Sequence, residues 1–119
     1  VNNFLTLLFA FCLSPLAEAK AVDSSTNTCR AMSMSELQKE MNGQGQKKIV
    51  FFASWCSSCA EKMKANDQNG TIFVAAFDSL ERAQEVIDVL NIKQRCILDA
   101  GIAQAMDVHS LPAERSIKF

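Results

Sequence analysis

The run Lys48-Ile49-Val50-Phe51-Phe52-Ala53 constrains this chain more than any other segment, being apolar after its first residue and rich in β-branched and aromatic side chains. Such a run reads as a strand covered on both faces, the situation of an inner strand in a parallel sheet. It leads directly to Cys56 and Cys59. After the cysteines, Ala60 to Ala65 favours helix, and Asn66-Asp67-Gln68-Asn69-Gly70 has the residue types of a turn. Thr71 to Phe77 reads as a second buried strand. Asp78 with Glu81 gives a capping-box-like start, and Leu80, Ala83, Val86, Ile87 and Leu90 recur at the spacing of an amphipathic helix. Cys96-Ile97-Leu98 predicts a short third strand, Asp99-Ala100-Gly101 a turn, and Ile102 to Met106 one or two helical turns. Upstream, a short helix is expected from Ser35 to about Met41, capped by Ser33 or Ser35 and ended at Gly43 and Gly45. Strands alternating with helices imply an α/β domain with a parallel core and right-handed crossovers.

A chain of 119 residues, 49% of them hydrophobic, fits one domain with one core. Its beginning differs in kind from the rest: Phe4 to Leu13 is almost wholly apolar and is followed by Ser14-Pro15 and then Ala17-Glu18-Ala19. That run is too short to span a bilayer comfortably, and the small residues suit a signal peptidase, so residues 1–19 read as a secretory signal cleaved near Ala19, with an uncleaved anchor helix or a buried apolar segment as the competing account. No Lys or Arg precedes the apolar run. Residues 20–34 read as a polar arm and 35–119 as the domain. The expected location is the periplasm or another exported compartment, where disulfides persist. Cys12 leaves with the signal, and Cys29, Cys56, Cys59 and Cys96 remain, an even number compatible with two pairs.

Charge excludes one class of partner. Lys and Arg number 12 against 13 Asp and Glu, the net charge is −1, and one Trp and no Tyr are available for base stacking. Nothing here draws in nucleic acid or an acidic lipid surface.

Trp55-Cys56-Ser57-Ser58-Cys59 lies where the apolar strand ends and a helix is expected. A cysteine at a helix N-terminus faces unpaired N–H groups and the positive end of the helix dipole, which favour the thiolate. Cys56 is therefore the candidate nucleophile. Cys59, one helical turn on, is placed to attack a mixed disulfide at Cys56 and release the substrate. A structural disulfide, or half of a zinc site, is the competing account of the same spacing; zinc needs two more ligands, and Cys29 and Cys96 are isolated in sequence. The exchange chemistry needs no cofactor.

Phe52-Ala53-Ser54-Trp55-Cys56-Ser57-Ser58-Cys59 resembles the active-site segment of the thioredoxin superfamily, and Val108-His109-Ser110-Leu111-Pro112 sits where that family carries its cis-proline loop. The order of elements from the amphipathic helix to Pro112 looks like the TlpA group of exported or membrane-anchored members. The resemblance implies a thioredoxin-like fold, a central mixed sheet flanked by helices. With the sequence stopping at Phe119, the family's last strand and closing helix are expected to be missing and a sheet edge to lie open. It implies thiol-disulfide exchange outside the cytoplasm, commonly reduction of particular disulfides such as those of apocytochrome c or copper-site assembly proteins. The implied partners are protein disulfides or thiols and a membrane or periplasmic electron donor. Pro112 and Leu111 take the substrate-groove positions, with Trp55 at the surface beside the thiols. Cys29 and Cys96 are candidates for a structural disulfide tying the arm to the core, as in some TlpA-like proteins; two unpaired thiols are the alternative.

The sequence also departs from the family pattern. Val50 stands where cytoplasmic thioredoxins bury an acid, leaving proton transfer to water or a group such as Glu61, and Lys64 stands near the position of the usual kinking proline. Ala113-Glu114-Arg115-Ser116 is charged where the family has apolar strand residues. Two other readings compete with exchange: a Cu(I) site built from Cys56, Cys59 and His109, and an inactive fragment retaining the motif. Met32, Met34 and Met41 together suggest a soft metal site, but packing of a short helix accounts for Met34 and Met41 more simply. Phe51, Phe52, Phe73 and Phe77 are expected in the core.

Overall fold

The computed structural model describes residues 27–119, so the apolar leader, its cleavage point and the first part of the polar arm, residues 20–26, lie outside the described residues. The elements in chain order are β1 (Arg30–Met32), α1 (Met34–Met41), β2 (Gln46–Phe52), α2 (Cys59–Ala65) and β3 (Thr71–Ala75). They continue with α3 (Leu80–Leu90), β4 (Arg95–Asp99), α4 (Ile102–Ala105) and β5 (Ala113–Lys118). Among the described residues the strands form one mixed sheet in the order β1-β4-β3-β2-β5. β1, β4, β3 and β2 run parallel, and β5 is antiparallel to β2.

Alternation along the inner strands divides the core into two layers. Ile49 and Phe51 of β2 and Ile72 and Val74 of β3 face a cluster completed by Leu37 and Met41 of α1 and Ile102 of α4. Val50 and Phe52, with Phe73 and Ala75, face the opposite cluster, where Cys59 and Met63 of α2 meet Ala83 and Ile87 of α3. Every residue of β3 is buried, which explains why this stretch reads as an unbroken apolar run.

The helices begin where side chains cap them. Ser33 accepts from the Glu36 N–H while the Glu36 carboxylate accepts from the Ser33 N–H, and Leu37 and Met41, four residues apart, are buried. The backbone hydrogen bond from Ser33, followed by the one from its hydroxyl, holds the Glu36 carboxyl below its ordinary value. At α3 the cap is Ser79, whose hydroxyl accepts from Arg82, rather than the expected Asp78. Asp78 is engaged elsewhere, as described below.

One further expectation is corrected. Residues 20–34 read as an arm outside the domain, whereas Arg30–Met32 pairs with β4 and is part of the sheet. A three-residue strand after a polar stretch carries too little alternation to be legible. The charged stretch Ala113 to Ser116 is regular strand, in register with β2 from Ala113 opposite Phe51 to Lys118 opposite Gln46. Its acid is matched by cations from neighbouring elements: Glu114 lies 2.8 Å from Lys62 and 3.5 Å from Lys48. The Lys62 hydrogen bond, aided by the Lys48 charge and opposed by desolvation, holds the Glu114 carboxyl below its ordinary value.

Candidate active site

β2 hands the chain to a tight double turn. The Cys56 N–H donates to the Ala53 carbonyl (3.1 Å) and the Cys59 N–H to the Cys56 carbonyl (3.1 Å), and α2 begins only at Cys59. Cys56 therefore stands on the turn ahead of the helix and not within its first turn. The turn is tied to the loop after β3: Ser54 donates from its N–H (2.6 Å) and its hydroxyl (3.0 Å) to the Asp78 carboxylate, which also accepts from the Ser79 N–H (2.9 Å). Trp55, 60% exposed, donates its indole N–H to the Phe77 carbonyl at 2.9 Å. Phe77 adopts a left-handed backbone (φ 57°) and is 59% exposed, contrary to the expectation that it belongs to the core.

Cys56 and Cys59 are joined by a disulfide with their Cα atoms 5.4 Å apart. The two sulfurs differ in access, since Cys59 is sealed in the cluster shared by α2 and α3 while Cys56 is only half-buried. The Ser58 hydroxyl lies 3.7 Å from the Cys56 sulfur, within reach of a hydrogen bond to it. A cavity of about 450 Å³ opens beside the pair, with Met63 of α2 and Val86, Val89 and Leu90 of α3 among its walls.

The Leu111–Pro112 peptide is cis. Leu111 packs against both core clusters, and Cys56 packs against the second of them. Neither Leu111 nor Pro112 lines the cavity, which lies on the α3 side of the cysteines. Val50 is fully buried in the cluster containing Cys59. Glu61 is exposed, and the acid that borders the cavity is instead Glu85.

Cys29 and Cys96 are bonded, with Cα atoms 4.6 Å apart across a sequence separation of 67. Gln84 of α3 accepts from the Cys29 N–H (2.8 Å) and donates to the Asn27 carbonyl (2.7 Å), holding the segment ahead of β1 in place. His109 is paired with Asp107 at 2.6 Å, both being exposed, and it borders a different depression, with Phe77 and Gln104. Among the described residues no group of three or more His, Cys, Asp or Glu side chains is placed to hold a metal ion. Met32 and Met41 are buried in the first cluster and Met34 packs against it.

Of the groups around the site, the sequence did not single out Phe77 as a surface residue, Asp78 as the anchor of Ser54, or Val89 and Glu85 as cavity residues. A signal existed for Val89, an aliphatic residue outside the buried stripe of α3.

No family model matches the chain, and no curated protein matches it. Among solved structures it is similar to the solution structure of the reduced form of the N-terminal domain of PilB from N. meningitidis. The TM-score is 0.53 at 18% identity, covering 70% of this chain and 69% of that one. With the sheet order and flanking helices above, this likeness gives the chain a thioredoxin-like fold.

Proposed function

We propose that the chain is a thiol-disulfide oxidoreductase of the TlpA type that reduces protein disulfides outside the cytoplasm. The observation that carries this reading is the unequal access of the two bonded sulfurs: Cys56 half-buried at the edge of a cavity, Cys59 sealed behind it. In the reduced protein the Cys56 thiolate attacks one sulfur of a substrate disulfide. A bond forms between Cys56 and that sulfur, and the other substrate sulfur leaves as a thiolate that takes up a proton. Cys59, deprotonated, then displaces the bound sulfur from Cys56, which restores the intramolecular disulfide and releases the second substrate thiol. Two electrons pass to the substrate, and a dithiol protein of the membrane or periplasm supplies them again.

Trp55, Leu111 and Pro112 flank this exchange as substrate-contact positions. The apolar leader supports export, and a second disulfide between Cys29 and Cys96 suits an oxidising compartment. Ser57 and Ser58 bring no positive charge to stabilise the Cys56 thiolate, which favours a potential toward the reducing end. A Cys59→Ser variant is expected to accumulate a mixed disulfide on Cys56, identified by mass spectrometry after trapping. Equilibration of the Cys56–Cys59 pair in glutathione buffers is expected to give a midpoint well below about −120 mV, the value of a strong periplasmic oxidant. A midpoint at that value would overturn the reductive direction, and the absence of any adduct would overturn exchange itself.

A further inference from the structure

The cavity beside the cysteines is more selective in its lining than exchange alone requires. Both Cys56 and Cys59 border it, so whatever enters lies against the reactive bond. Its volume of about 450 Å³ falls within the range of about 300–1,000 Å³ seen for pockets that enclose ligands, room enough for a bulky side chain and the backbone beside it. The walls are mostly apolar, from Ala53 and Ala60 to Met63, Val86 and Leu90. Val89 stands at the lip, 81% exposed, an aliphatic residue that folding does not bury.

The polar groups of the lining are few: Ser54, Ser57 and one charge, Glu85. Among the described residues Glu85, like the exposed acids Glu61 and Glu81, has no basic side chain within 4 Å, and it is the one charged residue of the cavity lining. An apolar hollow with a single unmatched carboxylate beside it is complementary to a segment that carries a large apolar side chain and a positive charge together.

We infer that this cavity is a specificity subsite for protein substrates. It takes the bulky apolar residue adjoining the target half-cystine, while a lysine or arginine of the same segment meets Glu85. The inference rests on the exchange reading above and adds to it the class of sequence that Cys56 reaches fastest. A small disulfide lacking such a segment gains nothing from the subsite.

The test uses the full chain, reduced, with peptides that each carry one cysteine disulfide-bonded to the same thionitrobenzoate leaving group, so that the reacting bond is matched. One peptide has Leu beside the cysteine and Lys two residues away; a second replaces Leu with Ser, and a third replaces Lys with Glu. Stopped-flow rates are expected to favour Leu over Ser about tenfold. They are expected to favour Lys over Glu severalfold at low salt, and that ratio should shrink as ionic strength rises. Val89→Ser should narrow the Leu-to-Ser ratio, and Glu85→Gln should abolish the Lys-to-Glu ratio. Both positions are exposed, so the variants fold, and comparing peptides within one variant cancels any change common to all substrates. Equal rates for all three peptides, or ratios that persist in both variants, would overturn the subsite while leaving exchange intact. If no thionitrobenzoate is released from any peptide, the exchange reading fails and the subsite with it.

Discussion

Cys29–Cys96 and Cys56–Cys59 border the same apolar cluster, yet the two bonds occupy opposite surroundings. Cys29 and Cys96 are 3% and 2% exposed, bridge distant parts of the chain and are backed by Gln84. Cys56 is half-buried on a turn, three residues from its partner, with a cavity alongside and a serine hydroxyl near its sulfur. A thiolate must reach a disulfide sulfur to exchange with it. Burial therefore separates a bond that holds the sheet together from one placed to turn over, although both join the same kind of atoms.

Removing the buried bond has the largest expected effect. Replacing both Cys29 and Cys96 with Ala is expected to cost about 4 kcal/mol, the chain-entropy value for a loop of this length. Urea unfolding would measure it. Under conditions where that variant remains folded, disulfide reduction by Cys56 should persist; loss of exchange without unfolding would mean the two bonds are coupled.

A smaller effect sharpens the contrast from the other side. Phe77, beside Trp55, holds a backbone conformation unfavourable for a bulky residue, and its side chain is mostly exposed. Phe77→Gly is expected to raise stability by about 0.5–1 kcal/mol, relief of strain outweighing the added chain entropy. A shift of the urea midpoint upward would place strain beside the exchanging pair; a shift downward would mean that the Phe77 side chain contributes packing.

The smallest expected effect concerns the strand after Pro112. Glu114 has its folded value lowered below the ordinary 4.5, first by the Lys62 hydrogen bond. Its stabilising contribution is thus fully present above the unfolded value and is lost as pH falls through the folded one. Glu114→Gln should therefore flatten the acid side of the stability profile below about pH 4.5 and change little at neutral pH, because the pair is partly solvated. Urea melts across that range would check it. An unchanged acid limb would mean that the Lys62 contact adds nothing to β5.

The legible parts of this chain were those whose signal is local. β2 and β3 announced themselves as continuous apolar runs, α3 by its helical spacing, and the cysteine pair by its position after β2. β1 did not, since three residues cannot display alternation. The charge of Ala113 to Ser116 departs from the apolar strand of the resembled family, and the cations that match Glu114 come from β2 and α2, outside that stretch. Asp78 was legible as a cap type but not as the anchor of Ser54, 24 residues earlier. Phe77 reads as a core residue by its chemistry, while its left-handed backbone turns it outward.

By itself, the sequence determined the alternation of strands and helices and the Cys-x-x-Cys motif at a strand's end, because apolar periodicity and turn chemistry act over neighbouring residues. Only the tertiary structure decided that Cys29 meets Cys96, that Cys56 is accessible while Cys59 is not, and that a cavity with Glu85 beside it opens between α2 and α3. Those properties depend on which distant surfaces pack together and what they exclude from solvent, and no short stretch of chain carries that information.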